Sequence, residues 1–159
     1  MRKTHRQIGY LFFSLATALI SWSAKADCSH FAGSYTCRQV EDDELFTATI
    51  SFPNQNQIVM ADAESQDLLT FDSWVSLTDT QDLRQREAWA RCEKEGRLST
   101  AYRGIDVDQH GQRTGALSWN SSWRLHDGRL TVYSEGEMTP DHGQKVYFAG
   151  EFHCEPKRK

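Results

Sequence analysis

The stretch "GALSWNSSWRLHDGRLTVYSEGEM", residues 115–138, decides the fold because it contains two strands and the turn between them. One face of its first half carries Leu117, Trp119, Ser121, Trp123 and Leu125. Polar side chains occupy the alternate positions, and this period of two is typical of a half-buried strand. Asp127-Gly128 follows, which is a strong short signal for a hairpin turn. The alternation then resumes at Leu130 and Val132, so the stretch predicts an antiparallel hairpin.

The same alternation extends in both directions along the chain. In "LFTATISF" (45–52) and in "KVYFAGEFHC" (145–154), every second residue is apolar or small. In the second of these, the spacing predicts an inward face made of Val146, Phe148, Gly150, Phe152 and Cys154. Residues 81–93 fit either a helix or a strand. We prefer a hairpin that turns at Glu95-Gly96, because it continues the meander.

Turn residues recur about every ten positions, which indicates about eight or nine sequential strands. The predicted fold class is therefore all-β: an antiparallel up-and-down meander that closes into an 8–9-stranded barrel held by disulfides. Closure would remove the exposed edges that an open sheet offers to other chains. Barrels of this size are either filled by side chains or hold one small ligand.

The first 26 residues have the pattern of a secretory signal peptide. Arg2, Lys3 and Arg6 precede an apolar run, which ends at the small-residue cleavage site Ala24-Lys25-Ala26. The predicted organisation is a signal peptide at 1–26 and a single all-β barrel domain at 27–159, exported to the periplasm or secreted, with no stable membrane insertion. Cys28 is not expected to carry a lipid, because charged residues surround the position.

The charge of the predicted mature chain excludes one class of partner. Residues 1–26 hold four of the 18 Lys and Arg and none of the 22 Asp and Glu, which leaves a formal net charge of −8. A protein that binds nucleic acid must neutralise phosphates with basic side chains. A nucleic-acid partner is therefore not expected.

All four cysteines, Cys28, Cys37, Cys92 and Cys154, lie beyond the predicted cleavage site. An even number of cysteines in an exported domain predicts two disulfides. Three pairings are possible, and the sequence does not separate them. The spacing contains neither a C-x-x-C motif nor a zinc-like cluster, so we expect no metal site and no cofactor.

The segment "FAGSY", with Phe31, Gly33 and Tyr35, resembles the start of lipocalin-like, calycin-type barrels. Members of that group begin with a glycine and, two residues later, an aromatic residue that plugs the closed end. Tyr35 stands where the group usually has tryptophan. The resemblance implies an antiparallel barrel that is able to bind a small hydrophobic or amphipathic molecule.

Trp119 and Trp123 are the strongest indication of a binding site, because both project to the same face of one strand. They line an apolar pocket or fill the core, and the spacing allows both. Together with Tyr35 and Phe148 they form the candidate ligand-binding set. No catalytic motif is recognisable, so the leading hypothesis is an exported non-enzymatic protein that binds a small apolar or amphipathic ligand inside the barrel. The alternative is a secreted or envelope protein-interaction factor or inhibitor with a filled barrel and an acidic surface.

Overall fold

A computed structural model describes residues 27–63, 65–94 and 96–157, so the predicted signal peptide lies outside the described residues. A short 3-10 helix, Ser29–Phe31, precedes ten strands. The strands are β1 (Gly33–Gln39), β2 (Leu45–Asn54), β3 (Gln57–Ala61), β4 (Gln66–Thr70), β5 (Val75–Ser76), β6 (Leu83–Glu93), β7 (Arg97–Val107), β8 (Arg113–His126), β9 (Arg129–Pro140) and β10 (Val146–Pro156).

The predicted all-β antiparallel meander is confirmed. The strands form one sheet in the order β4-β3-β2-β1-β10-β9-β8-β7-β6-β5, which curls until its two ends nearly meet. The strand number is ten because the apolar stretch 67–77 contains two strands and not one. Asp72 lies between them with a φ of 61°, and this left-handed backbone ends β4 before β5 begins.

The seam of the barrel lies between β4 and β6. Phe71 forms an isolated bridge with Ala90, and the backbone N–H of Asp72 donates to the Ala90 carbonyl at 2.8 Å. Further along the seam, Arg86 Nη2 donates to Asp67 Oδ2 at 2.9 Å, and both side chains are about nine-tenths buried. A backbone bridge and a buried ion pair therefore hold the two ends of the sheet together.

The two hairpins that the sequence predicts are both present. At the β8–β9 turn, Asp127 and Gly128 have φ values of 49° and 76°, and two successive positive φ angles are typical of a type I′ turn. Residues 83–93 form strand β6, which pairs with β7 in a hairpin. The preference for strand over helix in this region is confirmed.

One end of the barrel is closed by tightly packed apolar side chains. Phe31, from the 3-10 helix, is fully buried together with Leu98 and Leu130. The Cys28–Cys92 disulfide ties the segment before this helix to β6. At the opposite end, Asp62 and Ser65, between β3 and β4, lie at the mouth of the barrel.

Both predicted disulfides are present. The second bridge joins Cys37 to Cys154, which lie directly opposite each other in the β1–β10 ladder. Two disulfides indicate an oxidising environment, as exported proteins have. In the part of the chain that the structure describes, no helix has the length and apolar character needed to cross a membrane.

The first half of β10 differs from its predicted inward, packed face. Phe152 and Cys154 pack into the barrel as expected, whereas Val146 and Phe148 are 54% and 40% exposed. The reason is the length of the neighbouring strand, because the β1–β10 ladder reaches only as far as the pair Gln39 and Phe152. Beyond that pair, β10 continues with β9 as its single neighbour in the described sheet.

Candidate ligand-binding cavity

A cavity of about 260 Å³ lies inside the barrel, above the closed end. Eight of the ten strands contribute to its wall, which is formed mainly by inward-facing apolar side chains. Asp62 and Ser65, from the β3–β4 turn, lie at its mouth. The arrangement is that of a site that a small molecule can enter from one end.

Trp119 forms one side of this cavity and is held in place by its neighbours. Its ring stacks on that of Tyr102, with centroids 4.8 Å apart and planes inclined by 8°. Gly136 lies opposite Trp119 in the β8–β9 ladder, and a Cβ at this position would lie 2.6 Å from Trp119 Cβ and 2.5 Å from Phe148 Cζ. The absence of a side chain at Gly136 therefore allows the two aromatic residues to approach from either side.

Trp123 lies four residues further along β8, nearer the closed end, and forms part of the cavity floor. It is 8% exposed, and its Nε1 donates to Thr100 Oγ1 at 3.1 Å. Phe46 and Phe152 complete the apolar wall nearby, with an edge-to-face contact at 5.3 Å between centroids. The indole N–H of Trp123 is thus satisfied within the protein, and its ring offers an apolar surface.

Asp67 and Arg86 form the polar part of the wall. Besides its bond to Asp67, Arg86 donates from Nη1 to the carbonyl of Thr78 at 2.7 Å. Burial raises the pKa of the Asp67 carboxyl, and the neighbouring guanidinium of Arg86 opposes that shift. Across the cavity, the hydroxyls of Ser121 and Ser134 are hydrogen-bonded at 2.7 Å.

Tyr102 is the ring against which Trp119 stacks. Burial is the main cause that raises the pKa of its phenol far above the ordinary value, and the charge of Asp67 adds to it. Its hydroxyl donates to Met60 Sδ at 3.7 Å, which is a weak contact. The phenol therefore stays protonated in the folded protein and acts as a hydrogen-bond donor, not as a base.

The structure brings together two of the four residues in the candidate set. Trp119 and Trp123 both line the cavity. Tyr35 is buried at the closed end, where its hydroxyl donates to the Phe31 carbonyl at 2.9 Å, and burial raises its pKa. Phe148 does not line the cavity; it packs over Gly136 on the same face of the sheet as Trp119, and it is 40% exposed.

The sequence reasoning missed Tyr102, Met60, Asp67 and Arg86 as cavity residues. The inward position of Tyr102 could have been predicted, because Tyr102 follows Leu98 and Thr100 at a period of two on one arm of a predicted hairpin. The Asp67–Arg86 pair had none, since a charged residue in a strand is usually solvated.

Four depressions of larger volume open on the surface that the described residues form. One, of about 470 Å³, lies beside Tyr147 and Glu137, and another, of about 630 Å³, lies at the closed end among Asp27, Asn54 and Gln55. The first is bordered by Tyr147, Phe148 and Ala149 together with polar residues, and the second largely by exposed polar side chains. The interior cavity combines apolar walls with a few buried polar groups, which is the usual composition of a ligand site.

Within residues 27–63, 65–94 and 96–157, no group of three or more His, Cys, Asp or Glu side chains is arranged to hold a metal ion. Comparison of the chain with family models, with curated proteins and with solved structures gives no match.

Proposed function

We propose that this chain is an exported, non-enzymatic binding protein for a small amphipathic molecule, which it holds inside the barrel. The observation that carries the proposal is the apolar interior cavity with the ion pair Asp67–Arg86 on one wall. The disulfides Cys28–Cys92 and Cys37–Cys154 favour an oxidising compartment, and the predicted signal peptide agrees with the periplasm or the exterior as the destination.

The cavity limits the size and the polarity of the ligand. Its volume of about 260 Å³ lies just below the ~300–1,000 Å³ of ordinary ligand pockets. The apolar body of a ligand would rest on Trp119 and Trp123. Arg86 uses two of its donors within the protein, and a guanidinium has five. The remaining donors favour a carboxylate or another hydrogen-bond acceptor as the polar end.

Binding is expected to change the emission of the cavity tryptophans. The protein would be titrated with decanoate and naphthoate, and with decylamine to test the preferred charge of the polar end. Trp74→Phe serves as a control, because Trp74 is exposed and lies against Arg103 outside the cavity. The change should persist in Trp74→Phe and disappear in Trp119→Phe/Trp123→Phe. A flat titration with every probe would contradict the proposal.

Filling the cavity is expected to abolish binding without unfolding the barrel. Ser121 is buried, faces the cavity and lies on the same strand as Ser118, which faces outward. Ser121→Leu should therefore weaken binding of the tightest probe at least tenfold, whereas Ser118→Leu should leave it unchanged. Binding would be measured by calorimetry, with circular dichroism to verify the fold. Equal affinities in the two folded variants would place the probe outside the interior.

A further inference from the structure

The first half of β10 is an unpaired sheet edge. The N–H of Val40 donates to the Glu151 carbonyl at 2.9 Å, and the β1–β10 contact extends no further toward the start of β10. Residues 146–150 pair with β9 on one side, and no other strand of the described sheet runs along their second side. An edge of this kind is a template for another strand.

The backbone orientation of this edge follows from the Val40 contact. The Glu151 carbonyl points away from β9, toward β1. Backbone groups of alternate residues in a strand point to the same side. The N–H and C=O groups of Tyr147 and Ala149 therefore also point away from β9, toward the free side.

The side chains on this segment are apolar and accessible. Tyr147 is 72% exposed, and Val146 and Phe148 are exposed beside it. Proteins usually protect such an edge with proline, a bulge or several charges. Between Asp141 and Glu155 the sequence has no proline, and Lys145 is its single lysine or arginine. A contiguous exposed apolar segment on an open edge is typical of an interaction site.

We propose that a second copy of this chain pairs with the edge through its own β10, antiparallel and about a two-fold axis at Phe148. This arrangement places Tyr147 opposite Ala149 of the second copy, and Ala149 opposite Tyr147. All of these backbone groups face the free side, so the pairing forms four new hydrogen bonds. A two-fold interface of this type uses the same surface on both subunits and closes on itself.

The side chains are self-complementary in this register. Phe148 meets its own copy, and Val146 lies opposite Gly150, where the free edge ends. The side chain of Lys145 then lies near that of Glu151, whose backbone is paired with Val40. Moving the axis to Tyr147 or Ala149 would put Lys145 opposite Ala149 or His153 and lose the charge match. Within one subunit, Lys145 contacts Glu137 at 2.9 Å and Glu151 contacts His153 at 2.8 Å. All four side chains are partly or largely exposed, so they can turn toward the partner.

Sedimentation equilibrium tests the dimer with variants of β10. Ala149→Pro removes a backbone donor that faces the free side, and Phe148→Asp places like charges opposite each other. Each should raise the dissociation constant of the dimer at least tenfold. Leu68→Asp is the matched control, because Leu68 is similarly exposed but lies on β4. It should leave the dissociation constant unchanged.

A charge exchange tests the register. Lys145→Glu and Glu151→Lys should each weaken the dimer about threefold, as for an exposed ion pair, and the double variant should restore it. Amide exchange of the unmodified protein gives an independent readout, because the N–H groups of Tyr147 and Ala149 should be protected more as the concentration rises. A protein that remains monomeric at millimolar concentration, or a dimer that Ala149→Pro leaves intact, would overturn the proposal.

Discussion

Replacing Cys37 and Cys154 together by alanine is expected to lower the free energy of unfolding by about 4 to 5 kcal/mol. The two residues are 117 positions apart, and the bridge therefore lowers the conformational entropy of the unfolded chain substantially. A domain of this size is typically stable by about 5–15 kcal/mol. Loss of this one bridge therefore removes about a quarter or more of the free energy of unfolding.

Urea unfolding, followed by circular dichroism, measures this effect. Cys28→Ala/Cys92→Ala is the matched variant, because its bridge spans 64 positions, and it should cost about 4 kcal/mol by the same relation. Since the two loops overlap in sequence, each bridge shortens the loop that the other closes, and removing both bridges should cost more than the sum of the two single losses. A loss below about 1 kcal/mol for the Cys37 and Cys154 variant, at an unchanged slope, would show that the unfolded chain is not restricted in this way.

The pairing of the cysteines illustrates what the sequence leaves open. The count predicts two bridges, but three pairings satisfy it equally well. Strand order settles the choice, because β1 and β10 are neighbours and their register puts Cys37 directly opposite Cys154. Such a contact joins the two ends of the domain, and no local pattern carries that information.

Local patterns predict the strands and turns well, because alternation and turn chemistry act over a few residues. The β8–β9 hairpin follows from the alternation before and after Asp127-Gly128, and the positive φ angles of those residues bear it out. The placement of Trp119 and Trp123 on one inward face follows from the same spacing. The face of a strand can thus be predicted, whereas the place at which its partner strand ends cannot.

Phe148 shows this limit most clearly. Its spacing from Phe152 and Cys154 is that of an inward-facing residue, and the register places it opposite Gly136 as expected. It is nevertheless 40% exposed, because β1 turns back at Gln39 and leaves this half of β10 uncovered. The alternation of a strand predicts the face of the sheet on which a side chain lies. Whether that side chain is buried also depends on which neighbouring elements cover it.

The buried ion pair at the seam between β4 and β6 is the other feature that the sequence does not predict. Asp67 and Arg86 lie 19 positions apart, and each stands in a stretch where a charged residue would ordinarily be exposed. They become partners because the sheet curls until β4 meets β6. A buried charge is tolerated only where an opposite charge meets it, and each residue of this pair is therefore acceptable only in the closed barrel.

Arg86→Met is expected to lower the free energy of unfolding by about 3–5 kcal/mol, because it leaves the carboxylate of Asp67 buried without its partner. The double variant Asp67→Leu/Arg86→Met removes both charges and should unfold within about 1 kcal/mol of the unmodified protein. Urea unfolding of the three proteins at neutral pH distinguishes the loss of a charge partner from a simple loss of packing. If the double variant is no more stable than Arg86→Met, the seam does not depend on charge compensation.

The free energy of unfolding of Arg86→Met is also expected to depend on pH, and the direction of that dependence can be predicted. Burial already raises the pKa of Asp67, and Arg86 is the main group that opposes this shift. Without Arg86, the folded-state pKa rises further above the unfolded value, so the ionised carboxylate destabilises the fold at neutral pH. Lowering the pH through the raised pKa protonates Asp67 and should recover part of the lost stability relative to the unmodified protein. The double variant has no carboxyl at this position and should show no such recovery, which attributes the effect to the seam.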